Sequence, residues 1–486
     1  MNTQEELTKI VGAENVSDET ESLIKYSEDI SLIPMIRPKC IVKPRDVEEV
    51  QGVVKWANKT LTPIVPISSG APHFRGGTTP SAEGAAIIDL RRMKKIIRID
   101  RKNRVAMVEP GVTFSELIPK LKEAGLAPLM PLVPRMSKSV LTCALEREPI
   151  LFPMRHWENM DPLCCTEIIF GSGDLFRTGS SAVGTLEEQW AAGGAQISGQ
   201  GPAQVDFARL IQGAQGTMGV VTWASIQCKL LPKVKSSFFI FTDDFESLIN
   251  LTYKLLWKKL GEECFILNNH NLACILSSGR EDTISLRETL PAWVLIFSLE
   301  GGGLLPEEKV QYQENEALNI IESFGLKASK NLSTVKAEEV SDVICGPSDE
   351  PYWKLRFKGA YKDVFFLTTL DKTPDFITEM NRLADSYSYP VSDIGVYLQP
   401  TVQGTNCHCE FNISYDPRNQ QESENVQTFV SVGSKSMAEI GGFFSRPYGN
   451  WKDFAYGSAT EMIVSYKKVK NIFDPNHIMN PGKLCD

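Results

Sequence analysis

The chain has 486 residues, 42% of them hydrophobic and 23% charged, and a formal net charge of −9. These values are those of a soluble globular protein long enough for two or three domains. An acidic balance without a basic block excludes nucleic acid as the main partner, and no apolar run approaches the roughly 18 residues that span a bilayer.

Residues 1–35 read as a helical lead-in. They begin polar and acidic, without a secretory pattern, so a cytoplasmic location is expected. A strand, Cys40-Ile-Val-Lys-Pro44, follows. Asp46-Val-Glu-Glu49 has capping-box form, and Val47, Val50, Val53, Val54 and Ala57 continue at helical spacing. The next strand, Pro63-Ile-Val-Pro-Ile67, runs into the loop Pro66-Ile-Ser-Ser-Gly-Ala-Pro-His-Phe-Arg-Gly-Gly-Thr78. Small residues there let backbone N–H groups line a concave turn, which suits a pyrophosphate. Neither a P-loop nor a G-x-G-x-x-G after a strand occurs.

Ala85–Leu90 and Val105–Glu109 read as further strands, and Thr113-Phe-Ser-Glu116 as a second capping box whose helix stops at Gly125. Strands dominate from about 160 to 235. Leu231-Pro-Lys-Val234 reads as a boundary, and the segment to about 450 as a mixed strand-and-helix domain. The last residues, Phe473-Asp-Pro-Asn-His-Ile-Met-Asn-Pro-Gly-Lys483, carry turn chemistry at Asp474-Pro475 and Asn480-Pro-Gly482. Eleven scattered cysteines without a C-x-x-C pair read as reduced thiols, so no iron–sulfur cluster is expected within the chain.

Several of these segments, in this order, resemble one flavoprotein family. They are Ile41–Pro44 with Asp46–Val50, Pro66–Gly70 with Gly76-Gly77, Asp89-Leu-Arg-Arg-Met93 and Val108-Glu-Pro-Gly-Val-Thr113. Phe176-Arg-Thr-Gly179, Gln215-Gly-Thr-Met-Gly-Val-Val-Thr222 and the terminal Asp474-Pro475 with Asn480–Lys483 complete the set. The family is that of vanillyl-alcohol oxidase and p-cresol methylhydroxylase (PCMH), which includes glycolate oxidase and D-lactate dehydrogenase subunits. The resemblance implies an α+β fold: a PCMH-type FAD domain of two subdomains over 1–234 (core about 36–234), an α+β substrate, or cap, domain over 235–450, and a segment 451–486 returning to the FAD domain. It implies FAD held by Ser68, Ser69, Gly70, Ala71, His73, Arg75, Gly76, Gly77 and Thr78, by Ser139, and by Gly216, Gly219 and Val220. The stretch Ser137–Pro149 departs from the family's small residues, and its Glu146-Arg-Glu148 has no assigned place.

For catalysis the candidates are His408, Arg446 and Tyr448. Period-two alternation puts His408, Glu410 and Asn412 on one strand face, with Cys407, Cys409 and Phe411 on the other. Metal-dependent members of the family have a second His where Thr401 stands and an acid where Pro447 stands, so no metal is expected. His73 offers either covalent flavin attachment or a plain loop contact. The expected activity is dehydrogenation of a small organic molecule with hydride transfer to flavin N5, a 2-hydroxy acid going to a 2-oxo acid. A 4-alkylphenol oxidation is the alternative, and a flavin-binding electron-transfer subunit of a larger complex is another. An electron-transfer flavoprotein or iron–sulfur subunit would accept the electrons, with the chain acting as an oligomer or complex subunit.

Overall fold

A computed structural model describes residues 3–484 apart from 28, 32, 157–160, 203–205, 333–334 and 458. Four positions of the predicted lead-in (Met1, Asn2, Glu28 and Leu32) therefore lie outside the described residues. Of the rest, Thr3–Val11 and Thr20–Ser27 are the predicted helices, while a short strand, Val16–Ser17, lies between them and 29–35 is not helical where described.

Among the described residues, three larger sheets and one two-stranded ribbon, Asn331–Leu332 with Val335–Lys336, organise the fold. The first orders Val16–Ser17, Cys40–Val42, Ala86–Asp89 and Ile64–Ile67, parallel except at the first strand. Such parallel strands must be covered on both faces, and theirs are wholly apolar save for Pro66 and Asp89. The helix Val47–Thr60 covers one face through Val50, Val53, Val54 and Ala57, and Asp46 Oδ1 caps it by accepting from Glu49 N at 2.9 Å. The second sheet is antiparallel and centres on the long strand Gly219–Leu230, flanked by Val105–Val108 and Leu163–Phe170. Helix Phe114–Glu123 starts at the predicted Thr113/Glu116 capping box, with Thr113 N donating to Glu116 Oε2 at 2.9 Å.

The third sheet has seven antiparallel strands, in the order Ala328–Ser329, Val234–Thr242, Trp293–Gly301, Cys264–Asn268, Ile394–Thr401, Asn406–Tyr415 and Ala360–Thr368. Its two faces serve different neighbours. Phe238, Ile240, Leu295 and Phe297 pack with the helices Phe245–Trp257 and Pro306–Ser323. On the other face, Phe239, Phe265, Leu267 and Tyr397 join a core that also holds Val108, Leu141, Phe152 and Ile226 from around the second sheet. The functional cavity opens along this seam.

The end of the chain returns to the first sheet. Asn480 N donates to Ile64 O at 2.8 Å, and Ile64 N donates to Ile478 O at 2.7 Å. Buried Lys470 at the end of helix Thr460–Phe473 binds Thr217 O at 2.7 Å, Met479 O at 3.1 Å and Asp474 Oδ2 at 2.7 Å. This cation gathers the turn Asp474–Lys483 under the 213–219 loop.

Candidate active site

Two glycine-rich loops form one wall of a cavity of about 210 Å³. The first leaves the parallel strand Ile64–Ile67 and contributes Ser68, Ser69, His73, Arg75, Gly77 and Thr78 to the lining. The second, at the start of the strand Gly219–Leu230, contributes Gly213, Gln215, Gly216 and Gly219. Gly216 has φ +73°, and a β-carbon there would lie 2.6 Å from Pro66 Cγ, so only glycine lets the loops approach this closely. The loops are tied to each other by Asn480, whose Nδ2 donates to Gly77 O at 3.0 Å and to Gln215 O at 2.7 Å. Lys483 Nζ reaches Gly76 O at 2.5 Å.

The facing wall comes from the third sheet and its connections: Tyr352, Trp353, Lys354, Tyr361, Tyr397 and Glu410, with Arg446 and Tyr448. The predicted alternation on strand Asn406–Tyr415 is present. His408 Nε2 and Glu410 Oε2 lie 3.0 Å apart, and Asn412 Nδ2 donates to Glu410 Oε1 at 2.7 Å. Cys407, Cys409 and Phe411 enter the core on the far face. Lys354 Nζ also donates to Glu410 Oε1, so this buried carboxylate has three partners. Burial alone would raise the Glu410 carboxyl, but Lys354 and His408 overturn that and hold it well below the usual range.

Between the walls lies a compact ionic cluster built from the stretch with no sequence assignment. Glu148 binds Arg75 at 2.9 Å and Lys138 at 3.1 Å; Glu146 binds Lys138 at 2.5 Å and Arg75 at 3.4 Å. Arg75 Nη2 also lies 3.7 Å from Asp363 Oδ2. The Arg75 cation, expected to face the cofactor, is thus already matched by three carboxylates. Its guanidinium and that of Arg446 both lie over the Phe365 ring, at 4.8 and 4.2 Å from its centroid.

Other expected residues take different places. Ser139 is fully buried; it caps the helix Val140–Leu145 by accepting from Thr142 N, and its own N–H donates to Ser69 Oγ at 3.1 Å. Val220 faces the hydrophobic core with Ile169 and Met479, because neighbours on a strand point to opposite sides and Gly219 takes the cavity side. Gly70, Ala71 and Gly76 shape the first loop from behind the lining. Gly70 O accepts from Arg135 at 2.9 Å, Gly76 N donates to Asp29 Oδ2 at 2.8 Å, and Ala71 O accepts from Ser137 Oγ at 3.3 Å.

His408 does not line this cavity. It borders a second chamber of about 20 Å³, together with Arg147, Thr401, Ser445 and Arg446. Burial pushes its pKa down to about 4 despite Glu410, so it is neutral near pH 7. Glu410→Gln is therefore expected to lower turnover on the order of 10- to 100-fold, the worth of a charged hydrogen-bonding group at a reacting site. His408→Asn should cost less. Stopped-flow reduction of the flavin would check this, and a larger loss in the His408 variant would refute it.

Burial also lowers the pKa of His73 to about 3 and of His270 to about 4. Each binds a proton near pH 6.5 only when the chain unfolds, so each withdraws stability as pH falls from 6.5 toward 4. His270, which is not among the cavity-lining residues, isolates one such proton. The stability advantage of wild type over His270→Gln should shrink between pH 7 and 5, by at most about 1.4 kcal/mol per pH unit. Chemical denaturation at several pH values measures it; a constant difference would contradict it.

A concave, glycine-walled cavity at strand ends, facing an aromatic and ionic wall, sets a backbone-lined cofactor cradle opposite a wall suited to a small molecule. The backbone cradle at Gly77, Gly213, Gly216 and Gly219, where side chains are absent, suits the diphosphate of FAD. The comparisons agree. Residues 38–136 match the FAD binding domain family, and residues 367–484 match the C-terminal domain of FAD linked oxidases. Glycolate oxidase subunit GlcD of Bacillus subtilis is 24% identical over 490 residues, covering 99% of this chain and 96% of that protein. The 4-cresol dehydrogenase [hydroxylating] flavoprotein subunit of Pseudomonas putida is 32% identical over 177 residues, 36% of this chain and 34% of that protein. A substrate-bound p-cresol methylhydroxylase structure superposes with a TM-score of 0.84 at 20% identity, covering 99% of this chain and 96% of its own. The chain carries an FAD binding domain and the C-terminal domain of FAD linked oxidases, has the α+β fold of the p-cresol methylhydroxylase structures, and is an FAD-linked oxidoreductase with FAD as cofactor.

Proposed function

We propose that this FAD-linked dehydrogenase oxidises a small aromatic anion of the 4-alkylphenol class, with Arg446 and Tyr448 at its anionic end. The observation that carries the reading is the wall facing the glycine loops. It combines Tyr352, Trp353, Tyr361, Tyr397 and Tyr448 with a buried guanidinium. The lining carboxylates are already engaged: Glu146 and Glu148 by Lys138 and Arg75, Glu410 by Lys354, Asp29 by backbone N–H groups. Bound FAD supplies the hydride acceptor, flavin N5. Beside a buried cation a phenol binds as phenolate, and its oxygen feeds electron density to the para position. No side chain then has to remove a proton as the alkyl carbon gives up hydride. Glu410 is better suited to orient a water or hydroxyl group than to act as a strong base, because Lys354 and His408 stabilise its ionised form.

The 2-hydroxy-acid reading is favoured by a different observation, the likeness to glycolate oxidase subunit GlcD along nearly the whole chain. Arg446 would then bind the carboxylate. That substrate needs a base for its hydroxyl proton, and the expected one, His408, sits behind the cavity wall. Anaerobic titration of the yellow holoprotein with 4-cresol, glycolate and D-lactate separates the readings. Bleaching by the phenol alone supports the first. Bleaching by an acid and not the phenol refutes it. No bleaching by any of the three points to the electron-transfer-subunit alternative.

The reading includes an electron-transfer flavoprotein or iron–sulfur subunit as acceptor, a cytoplasmic location and action within an oligomer or complex. The division 1–234, 235–450 and 451–486 into FAD domain, cap and returning segment belongs to the same proposal. Among the described residues, no helix is long and apolar enough to cross a membrane.

A further inference from the structure

The small chamber behind the cavity wall has no role in the reading above. Among its lining residues are two arginines, Arg147 and Arg446, and no carboxylate. The remaining polar groups are Thr401, Ser445, His156 and His408. His408 is neutral there, so it supplies no charge to oppose the guanidiniums.

Arg147 Nε, Arg446 Nη1 and Thr401 Oγ1 in this lining are buried and have no hydrogen-bond partner among the described residues. Arg446 is 5% exposed and Thr401 2%. All three atoms can donate. Of their other atoms, Arg147 Nη2 donates to Ser445 O, Arg446 Nη2 lies 3.4 Å from His408 Nδ1, and the Arg446 guanidinium lies over the Phe365 ring. Burial lowers the pKa of each arginine; the charge of Arg446 lowers that of Arg147 further, and the charge of Arg75 that of Arg446. The acids whose charge opposes this at Arg446, Glu148 and Glu410, face the main cavity and are paired with Arg75, Lys138 and Lys354.

The backbone is shaped to bring Arg147 here. Arg147 has φ +54°, a conformation that side-chain-bearing residues rarely adopt. A β-carbon on Gly213 would fall 3.2 Å from Arg147 Nε and Nη2, so a glycine at 213 leaves room for the guanidinium.

The volume limits the occupant. About 20 Å³ accepts one water-sized particle, since about 10–15 Å³ of such volume is needed per water. A water accepts two hydrogen bonds and brings no charge, whereas three donors and two cations with no lining carboxylate call for a negative sphere. We propose that this chamber is a binding site for a single monovalent halide-sized anion, with chloride the probe of choice. The ion bridges Arg147 and Arg446 through Nε and Nη1, with Thr401 Oγ1 as third donor. It fixes the guanidinium of Arg446 from behind while the same side chain borders the main cavity. The site is independent of which substrate the enzyme oxidises.

Crystals of the holoenzyme soaked in bromide test it by anomalous scattering. One peak is expected in the chamber, within hydrogen-bonding distance of Arg147, Arg446 and Thr401. In solution, replacing gluconate by chloride at constant ionic strength should raise the melting temperature of wild type. Arg147→Met should abolish both the peak and the chloride effect. Should that variant fail to fold, Thr401→Val, which removes one donor at nearly constant volume, should weaken both. A chamber without an anomalous peak at saturating bromide overturns the proposal, as does a melting temperature indifferent to chloride. Halide inhibition strictly competitive with substrate also overturns it, because the chamber would then receive the anionic end of the substrate.

Discussion

Gly216→Val will leave the protein without flavin. The left-handed backbone at φ +73° is strained for any β-branched residue, and the new side chain would meet Pro66 across a 2.6 Å gap. Pro66 cannot yield freely, since its neighbours Val65 and Ile67 are locked in the parallel sheet. The two loops must separate, and the backbone cradle between them opens. We expect the ratio of flavin to protein absorbance after gel filtration to fall more than about tenfold from a wild-type ratio near one FAD per chain; starting from near saturation, that corresponds to a loss of roughly 2.7 kcal/mol or more in binding. Far-ultraviolet circular dichroism should be unchanged, because the third sheet does not depend on this contact. A Gly216→Val protein holding a full complement of FAD would disprove the placement of the cofactor. Flavin that stays on the wild-type chain after acid denaturation would instead reveal covalent attachment, for which His73 is the candidate.

Arg446→Ala will retain flavin and lose catalysis. Truncating a buried charged partner of a bound anion costs about 2–5 kcal/mol, or roughly 30- to several thousand-fold in kcat/KM. Arg446→Lys should recover little, because a point charge cannot reproduce a planar guanidinium stacked 4.2 Å from the Phe365 ring. If substrate charge is what Arg446 recognises, neutral analogues will be nearly indifferent to the change. Equal losses for charged and neutral substrates would show that the side chain only supports the fold.

The local features of both walls could be read from the chain because they depend on neighbours in sequence. The glycine loops, the Thr113 capping box and the alternation of His408, Glu410 and Asn412 are all of this kind. What escaped depends on distant pairs. Arg75 meets Glu148 across 73 positions and Lys354 meets Glu410 across 56, and neither spacing leaves a periodic signature. The ion cluster explains why charged residues interrupt the expected run of small ones at 146–148. Val220 was recoverable: once Gly219 faces the cavity, strand geometry sends its neighbour inward. The displacement of His408 was not, because its distance from the cavity is set by how strand Asn406–Tyr415 sits against Lys354 and Arg446.

Asn480 holds together two loops that lie 403 and 265 positions earlier in the chain. During synthesis, residues 68–78 leave the ribosome long before this clasp exists. On a growing chain the cofactor cradle therefore lacks this tie, however early its own strands pair. Flavin capture is expected to be completed only after release of residues 474–483, and a chain cut short there is expected to hold its cofactor more weakly while keeping nearly all of its sheets.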